Sequence, residues 1–197
     1  MKLKRRSEAF TLIELLVVIT IIGILATIAI PALGGAVDKA KLTKAQQNAA
    51  GIVKVIALIG VDTDGYGDTN VAKYPGTNLN FWYNSLTNYS KTNELMKMFS
   101  AGDVNVSSWS GSGPNTNAFY IYSVTDDSDS DTILMTTKNW LAPSSAGAGP
   151  ALTKDKQPFA DKGAIVLKKS ASVTVINSRQ ATNDISSIGL STNCLNP

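Results

Sequence analysis

The 197-residue chain is 44% hydrophobic, with no His and a single Cys, Cys194, an ordinary composition for one folded domain with an appendage. Without His there is no His triad, no His general base and no His metal ligand, and one Cys permits neither an intrachain disulfide nor a cysteine zinc cluster. The formal charge of +3 resides in residues 1–9, where Lys2, Lys4, Arg5 and Arg6 outnumber Glu8, so the remaining chain is neutral and the net charge does not report a basic surface for nucleic acid.

"MKLKRRSEA" is a short basic head. Behind it Leu15 to Leu33 carries no charge, and at about 1.5 Å per residue such a run is roughly 28 Å long as a helix, close to the thickness of a bilayer core. Basic residues ahead of the run keep the head in the cytoplasm and send the rest outward. A secretory signal peptide would have a shorter apolar region and a small-residue cleavage site, for which "ALGGA" at 32–36 could serve. A plain one-span anchor would account for the length. Neither accounts for Glu14, a lone carboxylate at the head of the run, which is expensive in a membrane and calls for a partner.

The stretch "AFTLIELLVVITIIGILATIAIPAL" resembles the N-terminus of type IV pilins and of the pseudopilins of type II secretion. The likeness is dense over residues 4–41, about a fifth of the chain. It implies a basic leader cut between Ala9 and Phe10, methylation of the new amine at Phe10, and Glu14 as the fifth residue of the mature chain. Ala9 departs from the usual Gly before the cut. Gly23 and Pro31 sit where family members often carry Gly and Pro. Pro31 lacks an N–H and its ring clashes with the carbonyl of Thr27, and Gly23 weakens the helix, so 23–31 is a candidate for a bend or for local melting. A lone Glu14 would pair with the Phe10 ammonium of a neighbouring subunit.

From Val37 the pattern turns amphipathic, with Ala45, Ala49, Ile52, Val53, Ile56 and Ile59 at helical spacing. Gly60 reads as the C-terminal stop, followed by the turn-rich "DTDGYGDTN". Residues 61–197 form a head. Within it "YPGTNLNFWYNSLTNYS" reads as irregular, "TNELMKMFSAG" as a short helix, and "SGSGPNTN" as a loop. "AFYIYSVT" and "DTILMTTKNWL" read as strands joined by "DDSDSD". "PSSAGAGP" is a second loop. "GAIVLKK" and "SVTVI" form a hairpin turning near Ser170 and Ala171, and residues from Ser178 lack periodicity. The expected fold is α+β: a leader (1–9), a transmembrane helix segment (10–36), its amphipathic continuation (37–60), and a head whose small antiparallel sheet packs on the helix.

Several residue groups invite chemistry. Asp62, Asp64 and Asp68 around two glycines suit calcium, which takes oxygen ligands, but no twelve-residue loop ends in Glu, so a solvated turn is the expected reading. "DDSDSD" at 126–131 poses the same choice. Lys168, Lys169 and Arg179 could form a small patch for DNA, which a neutral chain argues against. Trp82, Trp109 and Trp140 could stack on sugars, although core positions are expected. No nucleophile–base pair or phosphate loop is present, so an enzyme is not expected. The resemblance implies a structural filament subunit, of a pilus or of a secretion pseudopilus, held in the inner membrane with its head in the periplasm before assembly. It implies as partners other subunits, a prepilin peptidase, an inner-membrane platform and its ATPase, and membrane lipid. The competing reading is a membrane-anchored adhesin head that shares the leader.

Overall fold

The computed structural model describes residues 11–67, 69–145, 149–183 and 188–196. The leader 1–9, Phe10 and Asp68 lie outside the described residues, as do the side chains of Pro31 and Ala32. The chain divides into two compact units, residues 1–39 and 40–197.

Helix α1 spans Leu12–Tyr66 and contributes to both units. In the first unit, Leu12–Ile30 is long and apolar enough to cross a membrane and is exposed on every side. A helix apolar all round suits lipid rather than one packed face. Its hydroxyls cause no conflict with that solvent. Thr20 donates to the Leu16 carbonyl (2.7 Å) and Thr27 to the Ile24 carbonyl (2.7 Å), so each is satisfied within the helix. The helical backbone runs through Gly23 and Pro31.

In the second unit α1 becomes one-sided. Leu42, Ala45, Ala49, Ile52, Ile56 and Ile59 recur at three- and four-residue spacing and are buried, which places them on one stripe. They share a core with Phe119, Ile121, Leu134, Met135, Ile165 and Leu167 of a four-stranded sheet. The sheet is an antiparallel meander of β3 (Phe119–Ile121), β4 (Ile133–Thr137), β5 (Ala164–Lys168) and β6 (Val173–Ile176), in that order. A register shift between Ile133 and Met135 lets Leu134 and Met135 both enter the helix-side core. The opposite face carries Tyr120, Tyr122, Ile133, Val166 and Ile176 under Trp140, Ala142, Leu152 and Ala181. Covered on both faces, β4 is buried throughout and β5 from Ala164 to Leu167, so neither strand alternates between buried and exposed positions. The remaining elements are α2 (Leu79–Tyr89), α3 (Thr92–Met98), the short pair β1 (Trp109–Ser110) and β2 (Gly113–Pro114), and α4 (Ser178–Thr182).

The outer edge of β3 is filled by the C-terminal segment. Ser123 N donates to the Asn193 carbonyl (2.8 Å) and Leu195 N to the Ile121 carbonyl (2.7 Å). The Asn196 amide then stands in for backbone, accepting from Ile121 N (2.6 Å) and donating to the Phe119 carbonyl (3.0 Å).

Three expectations need correction. Gly60 does not end α1, which continues to Tyr66. A Cβ at Gly60 would lie 3.0 Å from the Lys73 side chain, so this glycine makes room for a packed neighbour. The stop is Gly67, at φ +68°, whose N–H returns to the Thr63 carbonyl. The stretch read as irregular contains α2, capped by Asn78 accepting from Phe81 N (3.1 Å) and burying Trp82, Tyr83 and Leu86. After β6, α4 is closed by a reciprocal cap between Asn177 and Gln180.

Ile52 is fully buried at the centre of the stripe. Ile52→Ala should cost about 2–5 kcal/mol, read as a lower urea midpoint with an unchanged slope for the detergent-solubilised chain; a loss below about 1 kcal/mol would show that the stripe does not carry the core.

Candidate assembly site and the acidic loops

The start of α1 carries a reciprocal cap. The backbone N–H and hydroxyl of Thr11 both donate to Oε2 of Glu14 (2.8 and 2.6 Å), and Thr11 Oγ1 accepts from Glu14 N at 3.3 Å. This is a capping box, in which the first residue and the third helical residue satisfy each other's orphan groups. It answers part of the question posed by a carboxylate in an apolar run. In the single chain, one oxygen of Glu14 is engaged locally. Oε1 accepts no hydrogen bond among the described residues. Ala9 and Phe10 lie outside those residues, so the cut and the amine are not described.

Asp62 and Asp64 lie on the last turns of α1, not on a free turn. Asp62 Oδ2 accepts from the Tyr89 hydroxyl (2.5 Å), which ties α1 to α2. Asp64 Oδ2 pairs with Lys73 Nζ (2.5 Å). The hydrogen bond from Lys73 holds the Asp64 carboxyl below its ordinary value, and the same bond raises Lys73. Each aspartate thus has its own protein partner. Among the described residues no three His, Cys, Asp or Glu side chains gather as a metal site.

The loop 125–131 is organised from inside by a lysine. Lys169 Nζ donates to the backbone carbonyls of Asp126 (2.5 Å) and Ser128 (2.6 Å) and stands 5.4 Å from the centre of the Tyr74 ring. Lys169 N donates to the Thr132 carbonyl and Ser170 N to the Ser130 carbonyl, while Lys168 Nζ pairs with Asp131 (3.0 Å). An ammonium therefore does for these carbonyls what a bound cation would do. Arg179 lies at the other end of the β5–β6 hairpin, since Ile176 pairs with Ala164 and Val173 with Leu167. The three basic residues do not form one patch.

The tryptophans are core groups. Trp82 and Trp140 are buried, and their indole N–H groups donate to the carbonyls of Lys73 (3.1 Å) and Pro150 (2.9 Å). Trp109 meets Tyr83 and Phe99 edge-on, with ring centres 5.4 and 5.3 Å away. Burial pushes the Tyr122 phenol up to about 12. Sequence reading missed Thr11, and it named Lys169 for a DNA patch rather than for the loop it holds. The first was signalled by T-x-x-E at 11–14; the role of the second had no local signal.

The model of the prokaryotic N-terminal methylation motif matches residues 4–30. The type II secretion system core protein G of Aeromonas hydrophila is 38% identical over 66 residues, and that of Pseudomonas aeruginosa 35% identical over 66. Each match covers 34% of this chain and 46% of the relative, so the chain spans about half the length of the curated relatives it matches. No solved structure matches the chain significantly.

Lys169→Met removes two charge-assisted bonds from a partly exposed site. It should cost about 1.5 kcal/mol, the low end for bonds to a charged group, and speed hydrogen exchange over 125–131; unchanged exchange there would mean that the loop orders without it. The Asp64–Lys73 pair has a two-sided pH signature. The lowered Asp64 contributes stability above its ordinary 3.8, lost as pH falls through the folded value. The raised Lys73 contributes below its ordinary 10.5, lost as pH rises through the folded value. Asp64→Asn should flatten both limbs in melts at pH 2–12 and leave the slope around neutrality unchanged.

Proposed function

Because the chain carries the prepilin methylation motif of the pilins and pseudopilins, which are structural proteins and not enzymes, and is distantly homologous to type II secretion core protein G, we propose that it is a filament subunit assembled through α1. The observation that carries this reading is Glu14. It is a carboxylate in the first turn of a helix that is otherwise uncharged from Leu12 to Ile30 and exposed on all sides.

The chemistry follows from that placement. The apolar segment anchors the precursor in the inner membrane, with the basic leader on the cytoplasmic side and the head in the periplasm. A prepilin peptidase cuts between Ala9 and Phe10 and methylates the new amine. In the free subunit the Thr11 cap satisfies one oxygen of Glu14, which lowers the cost of holding it at the membrane boundary. In a bundle of apolar helices the carboxylate loses its remaining water. Its second oxygen then meets the Phe10 ammonium of a neighbour. Attraction grows as the dielectric falls, and so does desolvation, so the pair adds little net stability. What it fixes is register, since a neighbour shifted along the axis leaves two buried charges unpaired. Gly23 and Pro31 lie in this packed segment as the place where the helix yields. An inner-membrane platform with its ATPase drives assembly. Calcium has no role in this scheme.

N-terminal sequencing of the processed protein should find methylated Phe10 first; a product starting near Val37 would indicate an ordinary signal peptide. Glu14→Gln keeps an acceptor for the Thr11 cap and removes the charge. It should leave insertion and cleavage intact and abolish filaments seen by antibody labelling of the head. Normal filaments from Glu14→Gln cells would refute the pairing role.

A further inference from the structure

The head carries its charge unevenly along α1. Lys41, Lys44 and Lys54 come first, and Asp62 and Asp64 last. Near the first end, Lys41, Lys44, Asn48, Glu94, Lys97 and Gly102 help line an open groove of about 790 Å³, in the size range of binding pockets, about 300–1,000 Å³. Lys41 pairs with Asp103 (2.8 Å) and Lys97 with Glu94 (2.9 Å). Lys44 is exposed and makes no hydrogen bond or ion pair with the described residues. It is the groove's uncompensated charge.

The opposite charge sits farther along the helix. Asp127 and Asp129 are exposed, and their carboxylates make no hydrogen bond or ion pair with the described residues. Lys169 binds backbone carbonyls of this loop and leaves those carboxylates unneutralised. The loop is therefore held in shape while its acids stay available, so little ordering remains to be done on docking. Lys169 and Tyr74 line a small cavity together with Val53, Ile56 and Ala57 of α1. Those residues lie nine to thirteen positions beyond Lys44, about 14–20 Å along a helix axis.

We propose that the Asp127–Asp129 tip of one copy docks in the Lys44 groove of the next copy. The proposal rests on the filament reading above and adds a second, head-to-head interface to it. Charge complementarity selects another copy of this chain as the occupant. The two surfaces are different and axially offset, so the contact is heterologous. A heterologous contact repeats, and where its rotation does not close it generates an open helical filament. Exposed charges of this kind are screened by salt and contribute orientation and partner choice more than affinity. The groove contact thus sets the rotation between heads, while Glu14 sets axial register in the membrane segment.

The test uses the full chain in cells that assemble it. Lys44→Cys and Asp127→Cys are combined in a Cys194→Ser background, and purified filaments are oxidised. The expected result is a ladder of dimers, trimers and longer species on non-reducing gels, with neither single Cys extending beyond dimers. In parallel, Lys44→Glu and Asp127→Lys should each cut filament yield at least threefold, and the double swap should restore it. Filaments with Phe10 first but without the ladder would overturn the docking and leave the filament reading intact. A Lys44→Glu defect without the ladder would assign the groove to a different partner or an anionic ligand, which also overturns it. If the unmodified chain makes no filament, the subunit reading fails and this contact fails with it.

Discussion

One helix carries two kinds of surface, and the rest of the molecule follows from where one gives way to the other. Between Leu12 and Ile30 α1 is apolar on every side; between Leu42 and Ile59 it is apolar on one stripe only. The stripe defines the near core, because Phe119, Ile121, Met135, Ile165 and Leu167 are the sheet side chains that meet it. Three- and four-residue spacing on the helix matches two-residue spacing on strands, with the register shift in β4 reconciling the two where Leu134 and Met135 both turn inward. Burying that stripe is the main favourable term available to a head of this size.

The polar groups of the head are largely satisfied from within. Asp62 has Tyr89, Asp64 has Lys73, the 125–131 loop has Lys169, and two helix starts have Asn78 and Asn177. Such groups stabilise and position; they leave little unspent chemistry for a substrate. The unmet demand lies in the exposed apolar surface of α1, in one oxygen of Glu14, and in the exposed charges of Lys44, Asp127 and Asp129. A molecule whose unsatisfied surface is a helix is equipped for association with other helices.

Much of the fold was legible because its signals are local. The change from all-round to one-sided apolarity marks α1, β-branched runs mark β4 and β5, and the hairpin turns at Ala171, which adopts φ +68°. The misses have physical causes. Gly60 looked like a stop because sequence cannot reveal that Lys73 packs against it. Helix α2 was hidden by its asparagines and aromatics, which have modest helix propensity and are held helical by burial of Trp82 and Leu86. The edge closure by Asn193–Asn196 is a pairing across more than seventy residues made partly by a side chain, which no periodicity announces. At the candidate site Glu14 was conspicuous as the wrong residue for its surroundings, whereas the role of Lys169 became visible only once the β5–β6 turn was placed against the 125–131 loop.

That edge closure governs how the protein behaves when crowded. An open strand is a template for any other chain, and the hazard grows with local concentration. With the Ile121 N–H and carbonyl both engaged by the C-terminal segment, and the Val173 carbonyl on β6 taken by Gln46 (3.0 Å), strand addition has little to grip. Copies of the head can then collide without seeding a cross-strand aggregate.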